Sequence, residues 1–114
     1  MKKTNQVYLQ DIYQAISKIK KYLKGISSFE LFAEQDMVQD AIIRQMEIIG
    51  EAANKLEKDK NSLRDNSDFP FRQAIDMRNF LIHGYDQVNL ETIWKTIKDD
   101  LPILNHKLTK LLKK

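Results

Sequence analysis

Four residues with chemically active side chains, Arg78, Asn79, His83 and Tyr85, fall within eight consecutive positions. An arginine guanidinium can bind a carboxylate or a phosphate through paired hydrogen bonds. A histidine with an unperturbed pKa of ~6.5 can accept or donate a proton at neutral pH. The segment therefore contains the residue types needed to bind an anion and to transfer a proton next to it.

Helical geometry limits how these side chains can meet. If the segment is helical, Arg78 lies in the middle of an apolar face, where a guanidinium needs an anionic partner. Arg78 and His83 are five residues apart, about 140° on a straight helix. They converge only if the helix ends near His83, as Gly84 would allow, or if a second chain completes the site. The apolar face comprises Ala74, Ile75, Met77, Leu81 and Ile82.

Each residue also has a structural interpretation. Arg78 could form a core ion pair with Glu51 or Glu47, and His83 could complement a helix dipole in a last turn. Tyr85 could make a capping contact just after Gly84. The residue types alone do not decide between these structural roles and a role in chemistry.

The surrounding sequence predicts helices throughout. A first helix ends before Gly25, and its apolar stripe comprises Leu9, Ile12, Tyr13, Ile16, Ile19 and Leu23. A link with Phe29, Leu31 and Phe32 leads to a second helix at about residues 36–56. After a polar loop at residues 57–68, Pro70 suits the start of a third helix that ends near Gly84. Asn89 is the expected N-cap of a fourth helix, which Pro102 should kink. The predicted fold is an all-α, antiparallel up-down bundle of four to five helices, forming one domain over residues 1–114.

The second helix has an apolar arc of roughly 180°, whereas about 100° is usual for a surface helix. One flank of the arc comprises Val38, Ile42, Met46, Ile49, Ala53 and Leu56, and the next comprises Met37, Ala41, Ile48 and Ala52. Gly50 lies outside that arc, beside Ile43. Two explanations stay open for Gly50: close backbone approach at a second interface, such as a homodimer, or chance tolerance on an exposed face.

Composition restricts the class of protein. The 114 residues contain no cysteine, which fits a reducing compartment, and no apolar run approaches the ~18 residues of a membrane span. We therefore expect a cytoplasmic protein that does not contact membranes. The net charge is +3, with lysines clustered at residues 18–24 and 107–114. These clusters fit either a solvated helix surface or a rim that attracts phosphates.

Two motifs resemble those of the HEPN-domain ribonucleases, specifically the HepT-like toxins. One is Arg78-Asn79-Phe80-Leu81-Ile82-His83-Gly84-Tyr85, and the other is the run from Ile43 to Ala53, with Arg44 followed by Ile49-Gly50-Glu51-Ala52. Trp94 and Leu101-Pro102 also stand where that family has them. One departure is Phe71, near which relatives often carry Trp; this is a packing change that leaves the site unaffected.

The resemblance implies a homodimeric HEPN bundle whose motif segments line a shared cleft. It also implies RNA cleavage without a metal or a cofactor, with tRNA and mRNA both open as targets. In this interpretation His83 is the general base and Arg78 the phosphate clamp, both catalytic. Asn79 would orient the substrate or the histidine, and Tyr85 would line the cleft and help to position the substrate. The expected products are a 2′,3′-cyclic phosphate and a 5′-hydroxyl.

The resemblance further implies a protein partner, a cognate minimal nucleotidyltransferase that acts as the antitoxin. Its target would be Tyr85, modified with AMP. The alternative is a catalytically silent HEPN module that serves as the partner or substrate-binding subunit of such a nucleotidyltransferase. The Arg78 and His83 pair favours the enzyme, since a silent module has no need for a charged residue on an apolar face.

Other chemistries lack necessary residues. Glu47 and Glu51 are one turn apart, as in di-metal bundles, but no Glu-x-x-His partner exists on the other helices. We expect these glutamates to form supporting ion pairs with Arg44 and Lys55, or with Arg78. His106 lies opposite an apolar stripe, and no metal site is expected around Asp99 and Asp100.

Overall fold

The computed structural model describes residues 5–58, 70–83 and 89–112, with residues 80–83 described by their backbone alone. These residues form five helices. They are α1 (Asn5–Tyr22), α2 (Phe29–Ala33), α3 (Asp36–Lys58), α4 (Phe71–His83) and α5, which runs through residues 90–112. The all-α prediction is confirmed.

Helix α1 buries Leu9, Ile12, Ile16 and Ile19 of the predicted apolar stripe, together with Ala15. Tyr13, which was also predicted in the stripe, is exposed. The chain leaves the helix through a turn in which Gly25 has a φ of 86°. Only glycine adopts this left-handed conformation without steric strain, so Gly25 stops the helix as expected.

The link between α1 and α3 contains a helix that the sequence prediction missed. Ser28 is extended and its hydroxyl accepts a hydrogen bond from the Leu31 amide at 3.2 Å, which caps α2. Phe32 on this helix is fully buried, with its ring centroid 5.3 Å from that of Trp94. A five-residue helix is too short to show a helical repeat of apolar residues in the sequence. It is stabilised instead by the burial of Phe32 in the core.

Helix α3 lies at the centre of the fold, because it packs against α1, α2 and α4. Its buried residues include Ile42, Met46, Ile49, Ala53 and Leu56. Contact with helices on several sides explains the wide apolar arc within a single chain. The arc therefore does not require a dimer. One member of the arc, Met37, is not covered by these helices and is 86% exposed.

Helix α5 begins at Asn89, whose Oδ1 accepts a hydrogen bond from the Glu91 amide at 2.7 Å, confirming the predicted cap. Its middle is a π-helical turn, Thr96–Asp100, between two α-helical parts, Leu90–Lys95 and Leu101–Leu112. The Leu101 amide donates to the Thr96 carbonyl, five residues back. Pro102 has no amide hydrogen and would clash with the carbonyl one turn earlier in a regular helix. The π turn, rather than a break, accommodates this proline.

The bundle is antiparallel at the α3–α4 pair. Glu57 near the end of α3 contacts Arg72 near the start of α4, and Gly50 further back on α3 meets Arg78 further along α4. Within the described ranges, no helix combines the length and the apolarity needed to cross a membrane. The homodimer and the kink of α5 at Pro102 stay predictions.

Candidate functional site

Helix α4 carries the predicted site residues Arg78, Asn79 and His83. Its inner face is fixed by Phe71, Ala74 and Ile75, which are buried in the core. On its outer face, Arg72 forms an ion pair with Glu57 at 3.1 Å. These contacts fix the rotation of α4 and place Arg78 against α3.

Gly50 is the point of closest approach between α3 and α4. A Cβ atom added at Gly50 would overlap the Cβ of Arg78 and lie 2.9 Å from its Cγ and 3.0 Å from the Ala74 carbonyl oxygen. Gly50 is buried, so the exposed-face explanation is wrong. The close approach is real, but the neighbour is α4 of the same chain rather than a second interface.

The Arg78 side chain is half-buried and only partly satisfied by hydrogen bonds. Its Nη1 donates to Oδ1 of Asn79 at 3.2 Å. Its Nε is buried and, within the described part of the chain, has no hydrogen-bond partner. A buried donor without a partner is costly, so the hydrogen bonds of Arg78 are incomplete among those residues.

Asn79 therefore contacts the arginine in this structure. The sequence predicted that Asn79 orients the substrate or the histidine. The observed hydrogen bond shows that its amide oxygen also orients the guanidinium. Because Asn79 is half-exposed, the rest of its amide stays accessible from the surface.

His83 is the last residue of α4, five positions beyond Arg78. That separation corresponds to about 7.5 Å along the helix axis. The backbone thus places both residues on one helix, while the His83 side chain, Gly84 and Tyr85 lie outside the described residues. Their predicted roles stay predictions.

The two glutamates of α3 differ in their partners. Glu47 forms an ion pair with Arg44 at 3.6 Å, one of the expected pairs. Glu51 is exposed and lines a groove between α1 and α3 together with Lys55 and Tyr8. Among the described residues, neither glutamate forms an ion pair with Arg78. Their supporting role in the site stays a prediction.

The described side chains, those of residues 5–58, 70–79 and 89–112, do not form a metal site. No group of three or more His, Cys, Asp or Glu side chains in those ranges could hold a metal ion. His106, the histidine of α5, is exposed, as expected.

A second groove, of about 270 Å³, separates α4 from α5. It has an apolar floor and a rim that includes Asp76, Thr96 and Asp100. This groove lies on a side of α4 that does not include Arg78, so it is separate from the predicted site.

The sequence as a whole matches known proteins. Residues 12–111 match the family model described as "Ribonuclease HepT-like". The chain is 40% identical over 113 residues to "Probable ribonuclease HepT" of Thermococcus cleftensis, covering 99% of this chain and 100% of that protein. It is 37% identical over 112 residues to a protein of Caldanaerobacter subterraneus subsp. tengcongensis named "Putative RNase TTE0752", covering 98% and 97% of the two chains.

A third relative, "Putative RNase MJ0125" of Methanocaldococcus jannaschii, is 32% identical over 112 residues, covering 98% of this chain and 94% of that protein. No solved structure matches the chain. The family match extends over nearly all of the helical bundle, including the Arg78 to His83 segment of α4. The chain belongs to the HepT-like ribonuclease family.

Proposed function

We propose that this protein is an endoribonuclease toxin that cleaves RNA without a metal ion. The observation that supports this most is the state of Arg78, whose guanidinium is oriented by Asn79 while its Nε has no hydrogen-bond partner among the described residues. Because the side chain is only half-buried, an RNA phosphate could bind the accessible part of the guanidinium. The family match supports RNA as the substrate.

The proposed reaction uses the nucleophile that RNA itself contains. His83 removes the proton of a 2′-hydroxyl, and the oxygen attacks the adjacent phosphorus. The bond from phosphorus to the 5′-oxygen then breaks, and that oxygen takes up a proton. Arg78 stabilises the charge that builds on the phosphate oxygens. The products are a 2′,3′-cyclic phosphate and a 5′-hydroxyl.

RNA cleavage by the purified protein should therefore persist in excess EDTA. The site needs only a base and a guanidinium, so removing divalent ions leaves the rate within about twofold. The measurement is single-turnover cleavage of a labelled RNA with and without EDTA, with end analysis of the products. A substrate with 2′-deoxyribose at the cleavage position is the matched control and should stay intact. Cleavage that requires Mg²⁺, or products with a 5′-phosphate, would contradict the mechanism.

The active form in this proposal is a homodimer. Arg78 and His83 are five residues apart, which corresponds to about 140° around a regular helix, so a second copy can supply the residue that one copy would not bring to the same phosphate. The contacts of α3 do not support the dimer, since most of its apolar arc is covered within the chain.

Light scattering at tens of micromolar should give twice the chain mass of 13.4 kDa. Mixing inactive His83→Ala with inactive Arg78→Ala should restore part of the activity if the two residues act across the interface. A monomer that cleaves RNA at the full rate would rule out the shared cleft.

The regulatory partner in this proposal is a minimal nucleotidyltransferase. It transfers AMP from ATP to the hydroxyl of Tyr85, with pyrophosphate as the leaving group. Tyr85 is two residues beyond His83, so the modification places a nucleotide beside the catalytic pair.

A further inference from the structure

The contact between Gly50 and Arg78 joins the two sequence motifs of the chain, and the proposed mechanism uses only one of them. We infer that Gly50 is a positioning residue for Arg78: its missing side chain lets α4 lie close enough to α3 to hold the guanidinium where it acts. The inference rests on the proposed RNA cleavage for its functional part. Its structural part rests on the α3–α4 contact alone.

The atoms that approach Gly50 cannot move independently of α4. The Cβ of Arg78 is bonded to the backbone, and the Ala74 carbonyl oxygen is a backbone atom. Rotating the Arg78 side chain moves Cγ but leaves Cβ in place. A methyl group at Gly50 would therefore push α4 outward by about 1.5 Å at this point, the difference between the overlap and an ordinary carbon–carbon contact.

The same contact determines where the Arg78 guanidinium lies. The stem of Arg78 crosses α3 at Gly50, and beyond that point Nε is buried and Nη1 is bonded to Asn79. Moving the stem outward would open the space around Nε and displace the guanidinium from a fixed phosphate. A shift of 1 Å in a catalytic group can lower a rate by about 100-fold.

The contact would exclude a methyl group with almost any residue at position 78, because two of its three closest atoms are a Cβ and a backbone oxygen, and its functional importance comes from that residue being Arg78. Alanine is more favourable than glycine in a helix interior by about 1 kcal/mol, and helices can pack with small side chains between them. Neighbouring positions on the same helix, Ala52 and Ala53, do carry alanine in the core. Glycine occurs at the position that faces the arginine.

The test compares Gly50→Ala with Ala53→Gly. The control changes a buried residue one turn away on α3, so it perturbs the bundle without adding an atom against Arg78. We expect Gly50→Ala to lower kcat by about 100-fold with KM changed less than about threefold, because the displaced guanidinium still attracts the phosphate of the bound substrate but no longer fits the transition state. Ala53→Gly should keep kcat within about threefold per folded molecule.

A second readout does not depend on activity. The Arg78 Nε–H group, buried in the native protein, should give a slowly exchanging signal in ¹⁵N NMR spectra, assigned by its loss in Arg78→Lys. Gly50→Ala should shift this signal and speed its exchange, whereas Ala53→Gly should leave it unchanged. An unaltered signal in Gly50→Ala would overturn the inference. If the signal is lost in Gly50→Ala but the native protein cleaves no RNA, the inference that Gly50 positions Arg78 is retained and the proposed function is refuted.

If Gly50→Ala does not fold, a double substitution decides the matter. Arg78→Gly removes both Cβ and Cγ, the two side-chain atoms closest to the new methyl group. Gly50→Ala should then destabilise the Arg78→Gly protein far less than it destabilises the native one, as measured by the urea midpoint. Equal destabilisation in both backgrounds would show that Gly50 faces something other than Arg78.

Discussion

Replacing His83 by alanine should lower the rate of RNA cleavage by about 10²- to 10⁴-fold, the usual contribution of a general base. Without the imidazole, no group at that position removes the 2′-hydroxyl proton. The measurement is single-turnover cleavage at saturating protein, with circular dichroism to verify the fold. The matched control is His106→Ala, which removes the exposed histidine of α5 and should leave the rate unchanged.

Arg78→Ala should lower the same rate by about 10²- to 10³-fold, since it removes one source of charge stabilisation in the transition state. Arg78→Lys should recover only part of the loss, because an ammonium cannot bind two phosphate oxygens as a planar fork does. Arg72→Ala is the matched control on the same helix: Arg72 is exposed and paired with Glu57. Full activity in His83→Ala or in Arg78→Ala would show that the assigned roles are wrong.

The two variants should also differ in how they bind RNA. Arg78→Ala removes a phosphate contact and should weaken binding of an uncleavable 2′-deoxy substrate, with a smaller dependence of affinity on salt. His83→Ala should bind that substrate as tightly as the native protein does. This difference separates the clamp from the base without measuring any reaction.

Local signals in the sequence predicted much of the fold. The stop at Gly25 and the cap at Asn89 depend on one or two adjacent residues, and the structure contains both. The apolar stripe of α1 predicted its buried face for the same reason: each helix shows its own periodicity. Helix α2 escaped prediction because five residues are less than two turns, too few for a period to appear.

The environment of Gly50 could not be predicted in the same way. Helical periodicity shows that Gly50 and Ile43 share a face, but not which helix covers that face. The predicted apolar arc excluded Gly50 and Ile43, and it was too narrow because Ile43 is partly buried against the core. A glycine in a helix interior facing the same side as a half-buried isoleucine indicates a close helix crossing. The identity of the crossing helix is a tertiary property.

The environment of Arg78 was also predictable only in part. Its place on the apolar face of α4 followed from spacing, and the structure shows it half-buried. The expected carboxylate partner is not found among the described residues, and the contact with Asn79 is to the next residue in the chain. Residue types suggested that Arg78 needs an anion, but they could not distinguish a glutamate of α3 from a phosphate.

Co-expression with the cognate nucleotidyltransferase and ATP should add AMP to Tyr85 and abolish RNA cleavage. The added group brings bulk and negative phosphate charge close to the catalytic residues, where it can occupy the Arg78 guanidinium and repel RNA. On an unbroken helix Tyr85 would lie seven residues beyond Arg78, on nearly the same face. The measurements are intact mass, which should increase in steps of one AMP, and peptide mapping of the modified residue.

The control for this prediction uses the other tyrosines of the chain. Tyr13 is 43% exposed on α1, so it is accessible to a transferase but distant in sequence from the motif. Tyr13→Phe should still be modified and silenced, whereas Tyr85→Phe should keep the fold, take up no AMP and stay active in the presence of the partner. A Tyr85→Phe protein that is inactive by itself would show that the hydroxyl also takes part in cleavage, in which case the mass shift alone decides the site. Adducts on Tyr8, Tyr13 or Tyr22, or no adduct at all, would refute the regulatory role of Tyr85 and leave the roles of His83 and Arg78 to their own tests.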